Sequence, residues 1–178
     1  PESYEGSISQ DSQEALIIHD KGQENLILKV NPSIKGDTAP ESFAWIVTVP
    51  NNPSAYKTID SKIFADAYGF AQKVLSPARA SDSFGDDGFG EAMPASLAFG
   101  KRVQVGPYDI QPIRAQGEEA LPELNKWLTQ HGFPTETAEH MAYFIENKFT
   151  FLCIKVVPGT QALQGKIQLV PLQITFPS

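Results

Sequence analysis

Residues 103–157 read VQVGPYDIQPIRAQGEEALPELNKWLTQHGFPTETAEHMAYFIENKFTFLCIKVV, and the order of patterns within them decides the fold. Val103 to Ile113 alternates like a strand, but the alternation changes phase at Gly106-Pro107, which predicts a bulge or kink there. Ala120, Leu121, Leu124, Trp127, Leu128 and His131 then recur at helical spacing. Gly132 stands where a left-handed C-cap belongs, and Pro122 fits a first helical turn. A second helix, Thr135 to Glu146, is expected to turn Ala138, Met141, Ala142 and Ile145 inward, with Asn147 closing it. Phe149 to Val157 is apolar on both faces, the pattern of a central strand.

Working outward, the first third predicts an antiparallel meander. Ala15 to His19 and Asn25 to Val30 flank Asp20-Lys21-Gly22-Gln23, whose glycine supplies a hairpin turn. Phe43 to Val49 follows, with Phe43, Trp45, Val47 and Val49 on one face, and Pro50-Asn51-Asn52-Pro53 ends it. Asp60 is the expected N-cap of a helix in which Ile63, Phe64, Ala67, Phe70, Ala71, Val74 and Leu75 form an apolar stripe, stopped by Ser76-Pro77. Residues 1–12 are polar and expected to be a flexible terminus. Residues 76–100, rich in Ser, Ala, Gly and Asp, are expected to form a long irregular, mobile loop. Near the end, Lys166 to Phe176 predicts a strand with a phase slip at Val170-Pro171. No internal repeat has a fixed period.

The length of 178 residues suits a single domain. A chain of that size buries roughly 70% of its unfolded surface and needs neither metal nor disulfide for a core. Its net charge of −7 repels nucleic acid and anionic membrane, and Lys101-Arg102 is the only adjacent basic pair. A nucleic-acid partner is therefore not expected. No apolar run approaches the ~20 residues of a membrane span. The chain opens on PESYEGSISQ, without the basic start and apolar core of a signal peptide, as a mature or trimmed chain would. Proline blocks both Asn-x-Ser sequons, at Asn31-Pro32-Ser33 and Asn52-Pro53-Ser54. The one cysteine, Cys153, sits in an apolar run and reads as a small buried hydrophobe.

The chemistry that the residues offer is sparse. Asp82, Asp86 and Asp87, beside Gly85 and Gly88, are candidate ligands for weak calcium binding, although their spacing is not that of a regular calcium loop and no Glu closes it. Phe84 and Phe89 in the same loop are candidate contacts for a protein partner. His131 and His140, with Glu136 or Glu139, would suit a metal; the favoured reading leaves His131 at a helix C-terminus and His140 in solvent. Trp45, Trp127, Tyr108 and Tyr143 suit a ligand groove, but aromatics on apolar stripes are more often core. No nucleophile elbow, P-loop or dinucleotide fingerprint occurs, and no cofactor is expected.

The order of pieces resembles domain-of-unknown-function family 2330. A hairpin precedes a strand ending in Val-Pro (FAWIVTVP), a helix and a Gly/Asp-rich loop. Then come Val105, Gly106, Tyr108 and Ile110; Trp127, Leu128, Gly132 and Phe133; Phe149 and Phe151; and Val170-Pro171-Leu172. The resemblance spans about residues 14–176 and is specific in the second half; the chain lacks the cysteine associated with the family's N-terminal edge. It implies an exported or membrane-anchored bacterial protein, hence an extracytoplasmic location, and carries over no catalytic residues.

The expectation is an α+β fold, with a mostly antiparallel sheet of about six or seven strands and three helices on one face or end. The expected function is a non-enzymatic interaction module, a subunit or accessory part of a cell-envelope assembly. The alternative is a hydrolase or metal-dependent enzyme built from the 82–88 loop and the 131–140 helix turn.

Overall fold

Lys21 and Gly22 both take positive φ, 51° and 75°, and close strand β1 (Ser7–Asp20) onto β2 (Gln23–Lys35) through a two-residue turn. A mirror-image turn of this kind matches the right-handed twist of paired strands. The computed structural model describes residues 7–35, 43–74, 96–117, 119–156, 165–166 and 169–178. The β1–β2 ladder runs back to Ser7↔Lys35, into the segment expected to be a flexible terminus. Backbone pairing needs no apolar pattern, because every non-proline residue carries both a donor and an acceptor.

The chain continues through β3 (Phe43–Val49), β4 (Ala55–Thr58), α1 (Lys62–Val74), β5 (Leu97–Phe99), β6 (Val103–Val105) and β7 (Tyr108–Ala115). It then forms α2 (Ala120–Gln130), α3 (Ala138–Glu146), β8 (Thr150–Val156), β9 (Gly165–Lys166) and β10 (Leu172–Pro177). Among the described residues these strands make two five-stranded antiparallel sheets, correcting the expectation of one sheet of six or seven strands. The first sheet has the order β1-β2-β10-β4, with β9 also on β2; the second has the order β3-β8-β7-β5, with β6 also on β7. The α+β class stands; what the sequence could not announce is that a second sheet, as well as helices, covers the central strand.

The second sheet is apolar on both sides. Toward the first sheet it presents Phe43 and Val49, Tyr108 and Ile110, and Leu152, Ile154 and Val156, which meet Leu28, Leu172, Ile174 and Phe176. Away from it, Ile113, Ala115, Phe151 and Cys153 pack with Ala120, Leu124, Leu128, Phe133 and Met141 of the α2–α3 layer. Each large side chain so buried contributes about 1.5–3 kcal/mol, so the two interfaces together dominate the fold. Helix α2 ends as predicted. Gly132 sits at φ 73°, its N–H donates to the Thr129 carbonyl, and the Phe133 N–H donates to the Leu128 carbonyl at 2.9 Å. This crossed pair satisfies carbonyls that the helix end would leave bare.

Four local expectations change. The phase shift at Gly106-Pro107 is a hairpin turn between β6 and β7, with Val105 opposite Tyr108 and Gly106 at φ 56°, rather than a bulge or kink. Gly106 approaches β4 so closely that a β-carbon there would lie 3.0 Å from Thr58 Cγ2. The last strand is two pieces, β9 and β10, both on β2, with the break where Val170-Pro171 interrupts the alternation. Helix α3 buries Met141, with Phe144 and Ile145 packed beside it, while Ala138 and Ala142 are exposed. Within the stretch expected to be irregular, Leu97–Phe99 pairs with β7.

Helix α1 starts at its predicted cap, where Asp60 Oδ1 accepts the Lys62 N–H at 2.8 Å. None of its residues is fully buried, and Phe70 is 68% exposed. It lies at the outer face of the first sheet, where Lys29 Nζ stands 5.8 Å above the Phe64 ring.

The two-sheet arrangement separates isoleucines that look alike in the sequence. Ile154→Ala should cost about 2–5 kcal/mol in urea unfolding. Ile17, 64% exposed on β1, should tolerate alanine within about 0.5 kcal/mol. Equal costs would contradict the packing.

Candidate functional site

Alternate residues of β7 face the first sheet in the order Tyr108, Ile110, Pro112, Arg114, and those of β8 in the order Val156, Ile154, Leu152, Thr150. Pro112 lies opposite Leu152 and Arg114 opposite Thr150, so both strands change from apolar to polar at the same end of the sandwich. There a cleft of about 780 Å³ opens between the edge strands β4 and β5. Ala98, Val103 and Pro112 supply apolar wall, and Tyr56, Lys101 and Arg114 supply polar groups.

The cleft is held from several sides. The Thr150 hydroxyl donates to Asn52 Oδ1 at 2.9 Å, fastening the loop after β3 to β8. The Gly100 N–H donates to the Pro112 carbonyl at 2.9 Å, and Gln111 Nε2 donates to the Gly100 carbonyl at 2.8 Å. Those two bonds fix the β5–β6 link against β7. Deeper in the sandwich, the Tyr108 hydroxyl donates to the Val170 carbonyl and ties the second sheet to the entry of β10.

Two polar atoms in this cleft lack partners. Arg114 Nε and the Tyr56 hydroxyl are both buried and take no hydrogen bond among the described residues. Burial pushes the Tyr56 phenol up to about 12, so it stays a neutral O–H donor at physiological pH. Among the described residues, the cleft's lining includes two cationic side chains and no Asp or Glu, although the chain has 21 acidic residues against 14 basic ones.

A smaller cavity of about 120 Å³ lies on the helix side, where Arg102, Asp109, His131, Cys153 and Lys155 meet Trp127 and Phe133. Its charges are largely spoken for. Arg102 Nε donates to Asp109 Oδ1 at 2.7 Å, and this hydrogen-bonded guanidinium holds the Asp109 carboxyl below its ordinary value. Lys155 Nζ stands 5.6 Å over the Phe133 ring. His131 stacks on Trp127 with ring centroids 4.0 Å apart, and its Nδ1 lies 2.8 Å from the Trp127 carbonyl. Burial pushes the Cys153 thiol up to about 12, which withholds the thiolate that nucleophilic chemistry requires.

Asp82, Asp86 and Asp87, and Phe84 and Phe89, lie outside the described residues. His140 is exposed, with Nδ1 3.9 Å from Glu136 Oε2. Among the described residues no three His, Cys, Asp or Glu side chains gather to hold a metal, so the histidine pair of the helix turn does not form one with its neighbouring glutamates. Trp45 stacks on Phe43 at 5.6 Å and meets Tyr108 edge-on at 6.0 Å, as core aromatics do. Tyr143 is 61% exposed. Arg114 and Tyr56 were not singled out from the sequence. The signal for Arg114 was present: in YDIQPIRA it is the fourth residue of a face that is otherwise apolar.

Fold and site together define an α+β domain, two sheets and a helical layer, with a cationic cleft at the polar end of its sandwich. The model of the family described as an uncharacterized protein conserved in bacteria, DUF2330, matches residues 3–178, and the chain belongs to that family. No curated protein and no solved structure gives a significant match.

Two measurements check the electrostatics. Cys153 should resist alkylation by iodoacetamide in the native protein at pH 8 and react fully in denaturant; ready native labelling would contradict its burial. Asp109→Asn should destabilise by roughly 1 kcal/mol or less at neutral pH. Because the folded carboxyl is lowered, that difference is present above its ordinary value of 3.8 and disappears as pH falls through the depressed one. Chemical melts across pH 2–7 would show it.

Proposed function

We propose that this chain is a non-enzymatic, extracytoplasmic binding module of the bacterial cell envelope, which holds its target in the cleft between the two sheets. The observation that carries this reading is the pairing of a large, mostly apolar cleft with an inward arginine whose buried Nε has no partner among the described residues. Pockets of that make-up suit recognition, since apolar walls supply affinity and a few placed polar groups supply orientation. The described lining of the cleft has no His, Cys, Asp or Glu to act as nucleophile or general base, so its groups favour holding a target over turning it over. The extracytoplasmic part of the proposal draws on the export expected for the family. No helix among the described residues is long and apolar enough to cross a membrane.

Ala98 offers a direct test. It lies opposite Arg114 on β5, on the same face, and is exposed. Ala98→Trp should obstruct the cleft beside Arg114 with little change in melting temperature. Tagged wild-type protein and A98W would be recovered from the envelope fraction of the source bacterium, and bound proteins and small molecules identified by mass spectrometry. The reading expects species retained by the wild type and lost from A98W. Identical retention by the two proteins would refute it.

A further inference from the structure

We infer that the cleft binds a small organic monocarboxylate with an apolar body, the carboxylate seated on Arg114 and the body along Ala98, Val103 and Pro112. This inference rests on the proposal that the cleft is a binding site and adds the chemistry of what it binds.

The charge balance is the first argument. The chain carries a net charge of −7, yet this cleft is lined by Arg114 and Lys101 with no acidic residue among the described lining. Cationic clefts bounded by low-dielectric walls concentrate anions. Orientation is the second argument. Arg114 occupies an inward position of β7, after Tyr108, Ile110 and Pro112, so the sandwich aims it between the sheets instead of into solvent. Its Nε is buried without a partner, and a buried donor left unpaired costs about 1–3 kcal/mol.

Nε–H and one Nη–H of a guanidinium point the same way and match the two oxygens of a carboxylate. A guanidinium offers a carboxylate this fork, and that of Arg114 is half-buried in the lining of the cleft. The neutral Tyr56 hydroxyl is a further unpaired donor in the same lining. One half-buried cation matches one negative charge, and the apolar wall extending from it suits a hydrocarbon or aromatic body. Lys101, exposed on the lining, adds attraction at the rim.

Decanoate and its neutral counterpart decanamide are the probes, titrated by calorimetry into the full chain at fixed ionic strength. Decanoate should bind the wild type about tenfold or more tighter than decanamide. Arg114→Gln, checked for an unchanged melting curve, should erase that preference. In the wild-type protein, so that no variant need fold, the Arg114 Nε–H resonance should move with decanoate and stay in place with decanamide. Equal affinity for the two probes, or an Nε–H signal indifferent to decanoate, overturns the inference. Displacement of decanoate by an equal concentration of inorganic phosphate would also overturn it, since the site would then recognise bare anions. If any of these occurs while A98W still abolishes retention of envelope species, the binding-module reading survives and only the carboxylate is lost.

Discussion

Strand β8 runs through the middle of the second sheet with every residue from Thr150 to Val156 buried except Lys155, and both its neighbours, β3 and β7, are full hydrogen-bonding partners. A strand apolar on both faces has no side to give to water, so two further layers must exist. The first sheet covers one face with Leu28, Leu172, Ile174 and Phe176. Helices α2 and α3 cover the other with Leu124, Leu128 and Met141. The remaining architecture follows from keeping these three layers in register. The Schellman-type end at Gly132 sends Phe133 back into the helix-side core beside Leu128. The β6–β7 turn at Gly106 presses against β4 and keeps the two sheets together at one edge.

The cleft exists because this layering is incomplete at one end. Where β7 and β8 exchange apolar inward residues for Arg114 and Thr150, the sheets no longer have apolar side chains to bring together. An arginine at that position is a poor choice for stability, since an aliphatic residue would extend the core without leaving a desolvated donor. Local departures from the best packing residue, kept in a fold that is otherwise consistent, are where function is expected to reside. The smaller helix-side cavity shows the contrast: its Arg102 has Asp109, its Lys155 has Phe133 and its His131 has Trp127.

Much of the local structure was legible because it depends on neighbours in the chain. The Lys21-Gly22 turn, the Asp60 cap and the end of α2 at Gly132 each rest on a few consecutive residues. The same reasoning misjudged α3, where Phe144 packs inward and Ala138 does not, since a short helix is rotated by the surface it meets. It also took the phase change at Gly106 for a kink, when a glycine at positive φ before proline turns the chain fully back. For the site, alternation in YDIQPIRA placed Arg114 on an apolar face, but nothing in that octapeptide tells whether the face ends in solvent, in core or in a cleft. The residues expected to bind calcium and a partner, Asp82, Phe84, Asp86, Asp87 and Phe89, lie outside the described structure.

By itself, then, the sequence determined the class of fold, the presence of three helices, the Lys21-Gly22 turn, the Asp60 and Gly132 caps, and the two-faced burial of residues 150–156. These follow from short-range sterics and from the periods of 2 and 3.6 residues that strands and helices impose on burial. Tertiary structure decided which strands pair, that they form two sheets, and that Arg114, Tyr56 and Ala98 share one cleft. The contact of Gln173 with Asn25, at 2.7 Å across 148 positions, illustrates why. Pairing over such a distance is selected by the fit of whole faces after the chain collapses, and no local pattern of side chains carries it.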